Sequence, residues 1–349
     1  AIAFIERPCQ AACGMDAIGL DENGKARIDY DRCVSCGQCL VSCPFGAIVD
    51  KSQIFQVVRS IAEGNTVVAI VAPSFVGQFG KNVTVPKFVA AMKQLGFSDV
   101  VEVAAGADVC AIEEARDFVE KVPAQQKFLA TSCCPSWRMM ARRLFPNESG
   151  NISMTYTPMI YTARLVKHTH PGSKVVFIGP CAAKKLEAMQ QELRSDVDFV
   201  LTYEELMGIF EAKAIDFSQL PDTDDLHDAS GLGRGFAAAG GVAAAVEEVL
   251  RRTQPDMEVK IQRADGLREC RRLLTLAKAG KFDGYLLEGM ACPGGCVAGA
   301  GTIIPAEAAK KQLDAHAKQA TVFSCAESPY RAFAGLLEEP AAREEETKR

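Results

Sequence analysis

No apolar run in this chain approaches the roughly 20 residues a helix needs to cross a bilayer, so a helical membrane span is excluded. There is no excess of positive charge either. Lys and Arg together number 39 against 44 Asp and Glu, a net charge of -5, which leaves no basic footprint for nucleic acid. The opening AIAFIERP lacks the long apolar core and small-residue cleavage site of a signal peptide, and the chain starts at Ala1 without an initiating Met. Cysteine, in contrast, is abundant. Fourteen cysteines in 349 residues, several at C-x2-C spacing, favour metal binding in a reducing compartment over a disulfide framework. With 48% hydrophobic residues the chain can bury a large core, and its length suits about two domains.

Residues 1 to about 50 carry the short-spaced cysteines, each group followed by an Ala-Ile dipeptide (Ala17-Ile18, Ala47-Ile48), which reads as an internal repeat. A helix over about 52–62 then leads to an apolar strand at 66–72. Beyond it, amphipathic segments near 85–95, 108–121, 136–145, 157–169, 183–193, 203–213, 240–252, 266–280 and 306–319 alternate with apolar runs at 99–104, 127–131, 174–179, 197–202, 258–263 and 283–288. This alternation predicts an α/β fold, with parallel sheets flanked by helices and a small α+β iron-sulfur domain in front. The expected division is 1–55, 56–335 and a solvated tail over 336–349. The polar run 218–234 reads as a loop between two lobes.

Cys33, Cys36, Cys39 and Cys43 form C-x2-C-x2-C-x3-C-P, the spacing of one half of a bacterial two-cluster ferredoxin, whose fourth cysteine serves the other cluster. Soft thiolates suit iron-sulfur clusters. The alternative is a zinc site or free core thiols. PCQAACGMDAI resembles the second part of such a half, so Cys13 is expected to complete the cluster of Cys33, Cys36 and Cys39. Cys43, with Cys9 as companion, would serve a second cluster whose other ligands lie before Ala1, or would stand idle. One 4Fe-4S cluster is expected here, and a second only with further ligands.

Four more cysteines stand where strands end. Cys134 in TSCCPSW, Cys181 in GPCAAKKLE, and Cys292 and Cys296 in EGMACPGGCVAG can supply four thiolates to a cubane at the carboxyl ends of parallel strands. Helices opening after Pro135 and Ala182 would point their N-terminal dipoles at it, and Gly294 and Gly295 let the backbone pass close to sulfides. An electron-relay cubane would need no more. Cys133, Lys184 and Met290 go beyond that need and suggest a second ligand beside the cubane, although a lone Lys at a helix start is ordinarily a solvated group.

These three segments resemble the signature segments of the iron-only (FeFe) hydrogenases, and the ferredoxin-like start resembles that family's relay module. The resemblance covers nearly the whole chain. It implies an H-cluster, a 4Fe-4S cubane joined through one cysteine sulfur to a diiron subcluster with CO, cyanide and azadithiolate ligands. It implies that Cys134, Cys181, Cys292 and Cys296 hold the cubane, with Cys296 as the bridge. Lys184 would hold one cyanide, the Pro73-Ser74 loop would contact the other, and Met290 and Phe236 would pack around the diiron unit. Cys133 matches the proton-transfer cysteine. Glu114 and Asp117, three residues apart and so on one helix face, together with Ser153, match a relay in the order Cys133, Glu114, Ser153, Asp117. Taken without the resemblance, such acids would be a solvated helix face.

The chain departs from the family pattern at three places: Gly179 stands where the prototypes have Met, Asp117 where they have Glu, and Thr157-Pro158-Met159 where they have a Gln-containing segment. Cys110, Cys270 and Cys325 read as small buried apolar groups, and His168 and His170 as helix C-terminal residues. GLGRG (231–235) follows no strand and is rejected as a dinucleotide loop. The expected activity is reversible reduction of protons to dihydrogen in the cytoplasm, with ferredoxin or flavodoxin as electron partner and dedicated proteins maturing the diiron site. The alternatives are a low-turnover sensory hydrogenase and a non-catalytic hydrogenase-like iron-sulfur assembly protein.

Overall fold

In the computed structural model, residues 7–222, 226 and 229–336 are described. The chain runs through α1 (Pro8–Ala11), β1 (Ile18–Leu20), β2 (Ala26–Ile28), α2 (Gln38–Val41), α3 (Ile54–Ala62), β3 (Val67–Val71), α4 (Val85–Leu95), β4 (Asp99–Glu102), α5 (Ala104–Lys121) and β5 (Leu129–Ala130). It continues through α6 (Pro135–Leu144), α7 (Pro158–Thr169), β6 (Lys174–Gly179), α8 (Ala183–Ala188), β7 (Phe199–Thr202), α9 (Tyr203–Ala212), α10 (Gly231–Gly235), α11 (Gly241–Thr253), β8 (Lys260–Asp265), α12 (Leu267–Lys278), β9 (Tyr285–Met290) and α13 (Ala306–Ala317).

Two parallel sheets result. The first has the order β4-β3-β6-β7 and the second β5-β9-β8, while β1 and β2 form a small antiparallel pair near the amino terminus. Every residue of β3 is buried, as expected of a strand covered on both faces. Its alternate side chains part accordingly. Val68 and Ile70 join a core with α5, α7 and α11, whereas Val67, Ala69 and Val71 join one with α4, α9 and α13. The first of these cores also takes in Leu129 and Leu286 of the second sheet, so α5, α7 and α11 form a helical layer shared by both sheets. On its other face the second sheet packs Ala130 and Leu287 against Trp137, Met140 and Leu274 of α6 and α12.

Topology then defines a crevice. In the first sheet the chain turns one way from β3 to β4 and the other way to β6, so the carboxyl ends of β3 and β6 flank a switch point. In the second sheet, β5 and β9 run parallel and end at Ala130 and Met290. Four strand ends therefore deliver Pro73, Cys181, Cys133–Cys134 and Cys292 toward one region.

Three expectations need correction. The segment 218–234 is not all loop, because Ser230 caps α10, its Oγ accepting the Gly233 N–H at 2.9 Å. The helix at 183–193 stops at Ala188, and the chain then turns so that Leu193 and Val197 enter the core. The boundary at 55/56 falls inside α3, so the helix is continuous across it, and its lead-in residue Gln53 accepts the Val200 N–H of edge strand β7 at 2.7 Å. Of the expected tail, residues 337–349 lie outside the described residues, as do residues 1–6 and five residues of the 218–234 run.

Candidate functional site

The cysteine-lined crevice holds a cavity with about 850 Å³ of empty space, its mouth included. Its wall contains Cys134, Cys181, Cys292 and Cys296 together with Cys133, Lys184, Pro73, Phe236 and Met290. The remaining wall is almost wholly apolar, with Val103, Ala107, Met159 and Phe177 among it. Among the described residues, no three His, Cys, Asp or Glu side chains close on one point as they would around a single ion. Instead the thiols ring a space. They count as half-buried by surface area because they face that space.

The local electrostatics suit a thiolate-held cluster. Burial pushes the Cys181 thiol up to about 11 and Cys296 up to about 12, and raises Cys134 and Cys292 as well. Such thiols stay protonated until a cation repays their ionisation. Backbone amides already point at the sulfurs. The Ala291 N–H donates to Cys134 Sγ at 3.4 Å, helped by the first-turn amides of Ser136 and Trp137, and the Ala183 and Lys184 amides serve Cys181. Gly294 and Gly295, at φ +87° and +92°, carry the chain from Cys292 to Cys296. A Cβ at Gly295 would lie 2.5 Å from the Ala239 nitrogen, so the close approach needs glycine. The donor set, the amides and the cavity all fit an iron-sulfur cluster.

Lys184 is buried. Burial opposes its charge, but the Glu187 carboxylate overrides this and holds the ammonium above its ordinary pKa. Its Nζ donates to Glu187 at 2.6 Å and to the Cys133 carbonyl at 3.4 Å. Glu187 was not foreseen; the i, i+3 spacing in KKLE was its only signal. Glu288 was missed too. Its two oxygens accept the Gly240 and Ala243 N–H groups at 2.5 and 2.7 Å, fixing the start of α11 just after Phe236.

Ser74 is not in the cavity wall. Tyr203 donates its hydroxyl proton to the Ala72 carbonyl at 3.0 Å, so the 2.8 Å contact between Tyr203 and Ser74 has the Ser74 hydroxyl as donor. That hydroxyl is committed to the protein. Gly179 leaves a space that is already filled, since a Cβ there would lie 2.5 Å from the Phe177 ring, which itself lines the cavity.

Along α5, Glu114 and Asp117 do share a buried face. Burial pushes the Glu114 carboxyl up to about 8, so it is protonated at neutral pH. Its Oε1 accepts the Ser132 N–H at 2.9 Å and lies 3.4 Å from the Ser132 hydroxyl, while Oε2 is buried with no hydrogen-bond partner. Ser153 is elsewhere engaged, its Oγ accepting the Thr155 N–H at 3.1 Å, and it bonds to neither acid. The hydroxyl at Glu114 is therefore Ser132's. Asp117 forms an ion pair with Lys121 at 2.9 Å near the surface.

A second cavity lies against the amino-terminal region. Cys13, Cys33, Cys36 and Cys39 line it, and Cys9 and Cys43 do not. Cys9 is buried, and Cys43 Sγ accepts the Ala47 N–H at 3.4 Å. Cys36 lines both cavities, which places the two cysteine sets side by side. Cys110, Cys270 and Cys325 are fully buried as expected. In α10 Gly233 serves packing: a Cβ there would lie 2.3 Å from Asp108 Oδ1 of α5.

Fold and site together define a cysteine-rich metallocluster protein built on two parallel sheets. Residues 65–300 match the family model described as the iron only hydrogenase large subunit, C-terminal domain, and residues 3–54 match an LdpA Fe-S cluster-binding domain. The chain belongs to the iron-only hydrogenase family. It is 30% identical to the NADP-reducing hydrogenase subunit HndD of Solidesulfovibrio fructosivorans over 77% of this chain, spanning 55% of that protein. It is also 30% identical to the periplasmic [Fe] hydrogenase large subunit of Nitratidesulfovibrio vulgaris, over 79% of this chain and 85% of the relative. The similarity extends to cytosolic iron-sulfur assembly component 3 of Bos taurus, at 26% identity over 84% of this chain and 76% of that one. A solved [FeFe]-hydrogenase structure superposes with a TM-score of 0.70 at 19% identity, covering 82% of this chain and 95% of its own, a likeness of fold. No helix among the described residues is long and apolar enough to cross a membrane.

Proposed function

We propose that this chain is an FeFe hydrogenase that reversibly reduces protons to dihydrogen, with electrons from ferredoxin or flavodoxin entering through the amino-terminal cysteines. The observation that carries this reading is that Cys133 and Lys184 share one cavity wall with four cysteines that suffice for a cubane. An electron relay has no use for either. Cys134, Cys181, Cys292 and Cys296 would hold the cubane, Cys296 would bridge to the diiron unit, and Cys13, Cys33, Cys36 and Cys39 would hold the relay cluster. When bound, the H-cluster would supply the redox chemistry that joins protons to electrons delivered by the external donor.

The chain's own residues would do the rest. Lys184, kept cationic by Glu187, would anchor an anionic ligand of the cluster. Phe236, Met290, Phe177 and Val103 would keep water out of the cavity, and Pro73 would shape its wall. The Cys133 thiol, raised by burial and by Glu114, stays protonated and can act as a proton donor. The unpartnered Oε2 of Glu114 is the oxygen free to exchange that proton. Outward, the route would run by Ser132 or ordered water to Asp117 and Lys121, with Ser153 contributing only through water.

The bovine relative's name supports a second reading, a non-catalytic assembly protein holding cubanes alone. Anaerobic maturation followed by infrared spectroscopy separates them, since metal-bound CO and cyanide bands are expected only for a hydrogenase. Cys133→Ala should keep those bands and lower dihydrogen production about 100-fold or more. Undiminished production by an assembled Cys133→Ala variant would sink the proton assignment.

A further inference from the structure

Lys184 and Lys185 are adjacent on the first turn of α8 and face different cavities. Successive helical residues point about 100° apart, and here that divergence puts Lys184 in the wall of the catalytic cavity and Lys185 in the wall of the amino-terminal one. Lys185 is buried at 6% exposure. Its Nζ lies 2.9 Å from Asp50 Oδ2, 3.0 Å from Glu205 Oε1 and 3.0 Å from the Lys51 carbonyl, so all three of its N–H groups have acceptors. Glu205 in turn caps α9, its Oε2 accepting the Thr202 N–H at 2.8 Å. The ammonium is thus pinned at the seam between the amino-terminal region and the large domain. The charged residues lining the second cavity are Asp50, Lys51 and Lys185.

We propose that Lys185 is a positioning residue that sets the reduction potential of the amino-terminal cluster. This rests on the reading that Cys13, Cys33, Cys36 and Cys39 hold that cluster. Reduction adds negative charge to an already anionic group. The buried Lys185 cation favours the reduced form, and the Asp50 carboxylate, exposed and partly screened by solvent, disfavours it more weakly. Lys185 and Asp50 would then act in opposite directions on one potential, although they form one salt bridge.

That opposition is the test. The full chain is loaded anaerobically with iron and sulfide, without the diiron unit, and titrated with dithionite while the reduced clusters are followed by electron paramagnetic resonance; Cys39→Ser identifies the amino-terminal signal. Lys185→Met should make that cluster harder to reduce by about tenfold, about 59 mV for one electron. Lys185→Arg should stay near the wild type, and Asp50→Asn should shift the potential the other way. Loosening of the seam alone would move Lys185→Met and Asp50→Asn together. An unmoved potential in Lys185→Met, or shifts of the same sign in the two variants, overturns the proposal while leaving the cluster assignment intact. A wild-type chain with no amino-terminal signal overturns both.

Discussion

Glu114 shows how burial keeps an ordinary acid protonated at neutral pH. Desolvation, aided by the nearby Asp117 and Glu288 charges, outweighs the Ser132 amide and hydroxyl at its carboxyl, so the proton is held up to about pH 8. The sign follows from linkage. The unfolded chain loses this proton near its ordinary carboxylate pKa and the folded chain does not, so this group's contribution to stability is complete below that value and drains away up to about pH 8. Glu114→Gln should flatten that part of the stability-pH profile of the metal-free chain in thermal melts. In matured enzyme, proton delivery should decline as pH rises through about 8, and Glu114→Gln should instead be slow at every pH, by roughly 100-fold or more in gas evolution. A variant that keeps the wild-type rate and pH limb removes Glu114 from the route.

At the scale of elements, β6 carries a compensated departure from its family. Gly179 lacks the side chain the prototypes have, but the Phe177 ring, two residues back on the same strand face, occupies the space and lines the cavity. Restoring the family residue alone should therefore be harmful. Gly179→Met is expected to force Phe177 out of place, cost about 1–3 kcal/mol of stability from overpacking, and reduce diiron incorporation. Phe177→Ala combined with Gly179→Met should recover much of both, read by denaturant unfolding and by infrared band intensity. Equal loss in the single and double variants would show that the two positions do not share one space.

For the molecule as a whole, Cys36 lines both cavities and so brings the two cysteine sets side by side. Cys134, Cys181, Cys292 and Cys296 line one cavity and Cys13, Cys33 and Cys39 the other, with Cys36 in both walls, and Arg143 of α6 ties the two regions by donating to the Cys33 carbonyl at 2.5 Å. Cys13→Ser should remove one cubane's iron and sulfide and leave the catalytic-domain cluster in place. Cys43→Ser should change neither, since Cys43 stands outside the cavity wall. Iron and sulfide analysis with paramagnetic resonance of the reconstituted chain checks both; loss of a cluster in Cys43→Ser would restore Cys43 as a ligand.

Much of this was legible in the linear chain. Apolar runs and amphipathic segments located the strands and helices of the large domain because each run's burial is a local property of its side chains. Cysteine spacing grouped Cys33, Cys36 and Cys39, and the strand-end positions of Cys134, Cys181 and Cys292 announced convergence. Other features waited for the tertiary structure. Ser132 rather than Ser153 serves Glu114, Tyr203 claims the Ser74 hydroxyl, Phe177 fills the place of the missing side chain at Gly179, and Cys9 and Cys43 stand apart from Cys13. Each depends on which groups distant in sequence compete for one partner or one volume. Periodicity and spacing record what a segment needs, whereas the packed fold decides which neighbour supplies it.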